Sequence, residues 1–325
     1  MADTDWEVYG MDLASDRVSE HLKQTRFRFL EGDISINREW IEYHIRKCDA
    51  VLPLVAIATP KTYVDAPLRV FELDFEENLR IIRQAVKYDR RVIFPSTSEV
   101  YGMCPDAQFN EETSPLVLGP ICKQRWIYSC AKQLMDRVIW AYGSEKKLRF
   151  TLFRPFNWIG PNLDDIDTPK EGSSRVVTQF LGHLLRNEPI RLVDGGQQRR
   201  SFTFIDDGIE ALMRIIANKD RCADGQIFNL GNPKNDCSIR ELAQIMIEVM
   251  EEFPALKGVK DQAVIEEVSA KTYYGPDYQD MQTRVPDIAR AKARLGWEPR
   301  VDLREALRRT VKYYVQRRKA GGGAS

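Results

Sequence analysis

Arg91-Val-Ile-Phe-Pro-Ser-Thr-Ser-Glu-Val-Tyr-Gly102 changes character in its middle. Val92–Pro95 is apolar and reads as a strand. Ser96–Thr97–Ser98–Glu99 follows at once as a polar loop. Working outward, the alternation of strand-like and helix-like pieces repeats. Residues 6–13 read as a strand that carries Asp12 at its end, and residues 27–30 as a second, followed by Gly32 and Asp33. Residues 38–47 are helical. Residues 50–56 are a continuous apolar run, as expected for a strand buried on both faces. Residues 68–88 place Phe71, Phe75, Leu79, Ile82 and Val86 at helical spacing. A long helix spans 124–142, and a strand over 150–153 ends at Arg154–Pro155. Strands alternating with helices predict an α/β fold with a doubly wound parallel sheet. Ligands of such sheets bind beyond the carboxyl ends of the strands, where Asp12, Asp33 and the Ser/Thr loop fall.

The chain has 325 residues, 43% of them apolar, which suits a dinucleotide-binding unit joined to a smaller one. Residues 1–160 carry the alternating pattern and form the expected NAD-binding unit. From 161 to 318 the pattern loosens into a smaller α/β unit for substrate, with some segments expected to return to the first sheet. Helices are expected at 174–186, 205–217, 239–253 and 303–318, and strands at 190–193 and 226–230. Residues 319–325 read as a flexible tail. Lys plus Arg and Asp plus Glu both total 48, so no charge imbalance points to a nucleic-acid partner or an acidic membrane. None of the six cysteines forms a CxxC pair, and none of the three histidines sits near one at ligand spacing, so no metal is expected. Scattered cysteines fit reduced thiols. The acidic, polar start and the lack of any apolar run of ~20 residues give a cytoplasmic expectation.

Tyr128 and Lys132 lie four residues apart on the predicted 124–142 helix and share one face. A phenol titrates near pH 10, too high for a base at neutral pH. A neighbouring ammonium favours the phenolate, which then takes a hydroxyl proton while hydride leaves the same carbon. The spacing alone is weak, since two common residues so placed are usually surface decoration. The hydroxyls of the Ser96–Thr97–Ser98–Glu99–Val100–Tyr101–Gly102 loop strengthen it, because they are placed to bond the same substrate oxygen; a locally bonded Ser/Thr turn is the alternative. Asp12 at a strand end suits the ribose hydroxyls of a dinucleotide, and its charge favours NAD over NADP. Asp33–Ile34 would line the adenine, with a helix N-cap as the alternative for Asp33. Asn157 is placed to bond a sugar or phosphate oxygen. Arg175, Arg191, Arg199 and Arg200 are candidate diphosphate contacts; a solvated basic face is the alternative for each.

Five blocks carry a more specific resemblance: STSEVYG (96–102), RWIYSCAK (125–132), FRPFNWIGP (153–161), GSSR (172–175) and YYGPDYQDMQTRVP (273–286). Nearly the whole chain resembles the UDP-glucuronic acid decarboxylase domain of ArnA-type bifunctional polymyxin-resistance proteins, within the extended short-chain dehydrogenase and NAD-dependent epimerase group. The resemblance implies a Rossmann-like sheet, NAD as cofactor and UDP-glucuronate as substrate. It implies oxidation at C4 and loss of CO2 to give UDP-4-keto-pentose, a step toward the aminoarabinose of lipid A. By the same likeness Tyr128 and Lys132 oxidise, Thr97 and Ser98 bind substrate, Glu99 accepts a proton and Arg284 donates one. A guanidinium is a poor acid, so holding the carboxylate or ordering a water is the alternative for Arg284. Ala58, Tyr63, Arg125, Asn157, Arg191, Arg200 and Tyr278 match UDP-sugar positions.

One departure accompanies the likeness. No GxGxxG or GxxGxxG precedes Asp12, so the first strand of a Rossmann-like sheet and its phosphate-cradling turn are not in this sequence, and neither is a formyltransferase half. A start about 25 residues upstream, the size of a βα element, is the expectation. Within the enzyme class, a UDP-xylose synthase or a 4-epimerase is the alternative. Outside it, the alternative is a non-catalytic nucleotide-sugar-binding protein. The helices at 68–88 and 124–142 suit the four-helix interface of a homo-oligomer.

Overall fold

The computed structural model describes residues 4–167 and 174–321. Its first half contains β1 (Val8–Asp12), β2 (Phe27–Glu31), α1 (Arg38–Ile45), β3 (Ala50–Val51), α2 (Pro60–Asp65), α3 (Pro67–Phe71), a π turn (Glu72–Glu77), α4 (Asn78–Lys87), β4 (Arg91–Pro95), α5 (Trp126–Lys146), β5 (Phe150–Pro155) and β6 (Trp158–Ile159). Its second half contains α6 (Val176–Leu185), β7 (Ile190–Val193), β8 (Arg199–Ser201), β9 (Thr203–Phe204), α7 (Ile205–Ala217), β10 (Gln226–Leu230), β11 (Asp236–Ser238), α8 (Ile239–Glu251), α9 (Val259–Gln262), β12 (Ile265–Val268), α10 (Ala270–Tyr274), α11 (Ala289–Leu295) and α12 (Leu303–Gly321).

A four-stranded parallel sheet runs in the order β10-β5-β4-β3. Its apolar strands bury both faces, which is why they read as unbroken hydrophobic runs. One face packs Val92, Phe94, Phe150 and Leu152 against Ile82 and Ala85 of α4 and Met135 and Ile139 of α5. The other packs Ile93, Phe153 and Phe228 against Ala211 and Ile215 of α7, Ala291 of α11 and Trp297. The sheet is therefore doubly wound, as the alternation predicts. A second core joins α6, α8 and α12 to β7 through Phe180, Leu181, Leu192, Met246, Met250 and Leu307.

β1 and β2 form a separate parallel pair, and among the described residues no ladder joins them to β3. The expected strand over 50–56 shrinks accordingly to Ala50–Val51. Among the described residues β3 has a ladder only toward β4, so past Val51 no second described neighbour holds the chain extended, and Leu54 is 60% exposed. Side chains take over the backbone instead: Asn78 Nδ2 donates to Val55 O (3.0 Å), and Ile57 N donates to Asp74 Oδ1 (2.7 Å). The expected 68–88 helix is continuous but widened at the π turn. The last helix runs to Gly321, so the beginning of the expected tail is helical, and residues 322–325 lie outside the described residues, as do Gly172 and Ser173 of the GSSR block. No helix among the described residues is long and apolar enough to cross a membrane.

The loop after β4 closes through Gly102, whose φ of +58° and ψ of −129° suit glycine alone. A Cβ there would sit 1.9 Å from Val117 O, whereas one on Gly225, at φ +67°, would meet nothing within 4 Å. Gly102→Ala is expected to lower unfolding stability by about 2 kcal/mol or more, and Gly225→Ala by about 1 kcal/mol, in urea titrations of the two variants side by side.

Candidate active site

α5 begins beside the polar loop that leaves β4, and its first turns carry Tyr128 and Lys132, both buried. Lys132 Nζ donates to Pro95 O (3.0 Å) at the end of β4 and stands 4.7 Å from the Phe94 ring centroid. Tyr63 of α2 stacks on Tyr128 with ring centroids 4.7 Å apart and planes 6° from parallel. The phenol does not behave as the Lys132 spacing predicts. Burial pushes its pKa up, with Glu99 and Asp74 adding to the rise, against a Thr97 hydrogen bond and Arg284. Burial also lowers Lys132, disfavouring the ammonium meant to help. Burial, with the carboxylates beside it, therefore favours the protonated phenol.

Next to this pair lies a network of ions. Glu99 accepts from Arg125 Nη1 (3.0 Å) and sits 3.4 Å from Arg284 Nη1, which also faces Ser98 Oγ at 3.5 Å. Arg200 Nη2 donates to Asp280 Oδ1 (2.7 Å) and its Nη1 to Met281 O (2.8 Å). Arg125 lies 5.7 Å from the Tyr278 ring centroid, and Tyr278 stacks on Tyr274 at 4.1 Å. Burial, then the nearby Arg200, pulls Arg284 down to about 10. Burial works to raise Asp280, but Arg200, Arg284 and Arg125 hold it below the usual carboxylate range. Three guanidiniums face two carboxylates here, so the site has one positive charge to spare for an anionic ligand.

A model of the NAD-dependent epimerase/dehydratase family matches residues 1–231. The chain belongs to that family. Among solved structures, it is similar to the PbgP3 protein from Burkholderia pseudomallei, with 57% identity and a TM-score of 0.86 over 96% of this chain and 90% of that one. It shares its fold with a UDP-glucuronic acid 4-epimerase from Bacillus cereus in complex with UDP-glucuronic acid and NAD, at 20% identity and a TM-score of 0.79 over 97% and 93% of the two chains. A dTDP-glucose 4,6-dehydratase from Bacillus anthracis in complex with NAD shares it at 18% identity and a TM-score of 0.76, over 96% and 91%.

NAD is the cofactor of the NAD-dependent epimerase/dehydratase family, and the donor set of this chain fits its ribose and nicotinamide ends. Asp12 stands exposed at the carboxyl end of β1, where its Oδ1 accepts from Leu13 N (2.7 Å). Lys132 and Tyr128 supply an ammonium and a phenol beside the end of β4. The pyrophosphate end has no such match: Gly10 and Gly32 are the sole glycines before Gly102, and Gly10 lies inside β1.

The other expected site residues fall in several places. Asp33 Oδ1 accepts from Ser35 N (2.8 Å) and Ser35 Oγ (2.7 Å), bonds that hold its carboxyl low, while Asn37 occupies the N-cap of α1. Ile34 packs its side chain with Ile45 and Ile81. Ala58 is exposed in the loop before α2. Asn157 adopts a φ of +39° and donates to Ser201 O (3.2 Å). Arg175, Arg191 and Arg199 meet Asp164 (2.7 Å), Glu266 (3.7 Å) and Asp236 (2.8 Å) respectively, with their side chains half exposed. Thr97, Ser98, Glu99, Arg125, Arg200, Tyr278 and Arg284 are the ones that converge near Tyr128.

Sequence reading missed Asp280, Asp74 and Asp136. Asp136 accepts from Ser96 Oγ (2.7 Å) and from Arg154 Nη2 (3.2 Å). Its signal was present, because it lies one turn beyond Lys132 on the same helix face. Asp74 and Asn78 stand on the buried stripe of the 68–88 helix, where polar residues are out of place.

Two carboxyls make opposite pH predictions. Asp280 is depressed in the folded state, so its contribution is present above about pH 4 and lost as pH falls. Asp280→Asn is expected to cost about 3–5 kcal/mol at pH 7 by leaving Arg200 unpaired, and less in acid. Asp74 is raised to about 6, chiefly by burial, so stability is full below about pH 4 and falls as pH rises through 6. Asp74→Asn is expected to gain on the order of 1–3 kcal/mol over the wild type at pH 8 and nothing at pH 4. Urea titrations across that pH range check both.

Proposed function

We propose that the protein oxidises UDP-glucuronate at C4 with NAD and releases C6 as CO2, yielding UDP-4-keto-pentose. The observation that carries this reading is the positively biased Arg125–Glu99–Arg284–Arg200–Asp280 network beside Tyr128, which suits a sugar carrying its own carboxylate. The five sequence blocks that resemble UDP-glucuronate decarboxylases support it. Tyr128 takes the C4 hydroxyl proton, with Thr97 and Ser98 holding that oxygen and Lys132 stabilising the phenolate. NAD supplies the hydride acceptor. Asp12 would hold it at its adenosine ribose and Lys132 at the other.

The ketone formed at C4 lies β to the C6 carboxylate. When the C5–C6 bond breaks, its electron pair moves into the C4 carbonyl, CO2 departs and an enolate remains. A proton then returns to C5. Arg284, with its pKa near 10, is a stronger acid than an ordinary guanidinium and stands beside Glu99, so the two together pass that proton. Tyr278, against Arg125, gives an aromatic face for the nucleotide end of the substrate.

Protein mixed with UDP-glucuronate and NAD is expected to produce NADH and CO2 in equal amounts, followed by absorbance and carbon-labelled release. Tyr128→Phe is expected to lower the rate by about 10²–10⁴. Arg284→Ala is expected to uncouple the steps, so that NADH forms with less than its share of CO2. The fold shared with UDP-glucuronic acid 4-epimerase supports one other reading. UDP-galacturonate formed without CO2 or net NADH would assign the epimerase, and no turnover of UDP-glucuronate would exclude both.

A further inference from the structure

We propose that Asp136 is a positioning residue for the oxidation: its carboxylate clamps both ends of the loop from Ser96 to Tyr101 onto α5, so that the Thr97 and Ser98 hydroxyls meet the Tyr128 phenol in register. The proposal rests on Tyr128 being the residue that takes the C4 hydroxyl proton.

Tyr128, Lys132 and Asp136 follow one another at four-residue steps along α5, so all three stand on one stripe of a single helix. Ser96 opens the loop after β4. Its Oγ donates to Asp136 Oδ2 (2.7 Å), while its N keeps to the sheet by donating to Phe153 O (2.9 Å). Tyr101 closes the short helical turn Ser98–Tyr101 at the other end. Its hydroxyl accepts from Arg154 Nη1 (2.9 Å), and Arg154 Nη2 donates to the same Asp136 Oδ2 (3.2 Å). One carboxylate oxygen thus reaches the first residue of the loop directly and the last through a guanidinium. Thr97, Ser98 and Glu99 lie between those two ends. Gln133, also on α5, adds a tie in the middle, with Nε2 donating to Val100 O (2.7 Å).

Stability alone does not account for this arrangement. Ser96, Tyr101, Asp136 and Arg154 are all buried, and a buried ion pair is often no more stabilising than well-packed apolar residues of similar volume. The pair is also incomplete. Asp136 Oδ1 and Arg154 Nε are buried with no hydrogen-bond partner among the described residues, so two donors share one oxygen while the other goes unbonded. What the shared oxygen secures is direction. Hydrogen bonds weaken steeply when bent, so bonds to both ends hold the loop in one place against the helix that carries the phenol. Reacting groups displaced by ~1 Å lose about 10²-fold in rate, which is the scale on which such a clamp acts. The Ser96 hydroxyl is committed to the clamp, and Thr97 and Ser98 are the loop hydroxyls that serve the substrate.

Ser96→Ala removes the direct tie and leaves the Asp136–Arg154 pair in place. Amide hydrogen exchange of the ligand-free protein, followed by mass spectrometry, is expected to quicken about tenfold in peptides from 96–102 and to stay unchanged in α4 and β7. The kcat for NADH formation from UDP-glucuronate is expected to fall about tenfold or more, with KM within about threefold of the wild type. Asp136→Ala is expected to have the larger effect on both. Asp136→Asn still offers an oxygen to Ser96 and Arg154 and is expected to recover most of the rate. Exchange that is unchanged in Ser96→Ala, exchange that quickens throughout the chain, or a wild-type kcat overturns the proposal, and so does an Asn variant as slow as the Ala variant. Should Asp136→Ala not fold, Ser96→Ala and Asp136→Asn decide the matter by the same outcomes. The exchange measurement needs neither NAD nor substrate. Local quickening in a protein whose wild type does not turn over UDP-glucuronate therefore defeats the activity and keeps the clamp, while wild-type turnover with an unaffected Ser96→Ala defeats the clamp alone.

Discussion

Lys132 Nζ donating to Pro95 O ties α5 to the carboxyl end of β4, and the geometry of the site hangs from that tie. It brings the Tyr128 face of a helix against the Ser/Thr loop of a strand some thirty residues earlier. A second buried connection braces it. Ser96 and Arg154 both donate to Asp136, Arg154 donates to Tyr101 (2.9 Å), and Tyr101 donates to Asn229 (2.8 Å). That chain of bonds links α5, the loop after β4, β5 and β10. Each bond sits where water is excluded, so leaving any partner unsatisfied would cost more than the bond itself contributes.

The site gathers more buried charge than a core tolerates for stability alone. Arg125, Arg200 and Arg284 lie against Glu99 and Asp280 in mutual ion pairs, because an isolated ion of either sign would lose several kcal/mol on leaving water. Asp74 is the exception: burial raises it to about 6, so it sits near its own titration point at neutral pH. Groups that burial and neighbours drive away from their ordinary ranges concentrate where chemistry is done. Tyr128 is the clearest case, a phenol whose surroundings favour the proton that its proposed role requires it to give up.

The fold was legible because its strands are apolar on both faces and its helices keep their stripe. β7, β10 and α7 fall where the pattern places them. The run at 50–56 misled, since hydrophobicity reports burial and not the ladder that a strand needs at its edge. β8, β9 and β11 were invisible, being two or three residues long with pairing that is entirely non-local.

Tyr128 with Lys132 and the Ser96–Glu99 loop are determined by the sequence, because local spacing and residue type suffice to place them on a helix face and in a strand-end loop, whereas the block holding Tyr278 and Arg284 stood out only by its resemblance. Tertiary structure alone decided which arginines join them. Arg125, Arg200 and Arg284 converge on Glu99 and Asp280, while Arg175, Arg191 and Arg199 meet carboxylates elsewhere. It alone turned the expected lowering of the phenol into a rise. The reason is the same in both cases: a charge's effect depends on its distance to every other charge and on the water excluded between them, and neither quantity is written in the order of the residues.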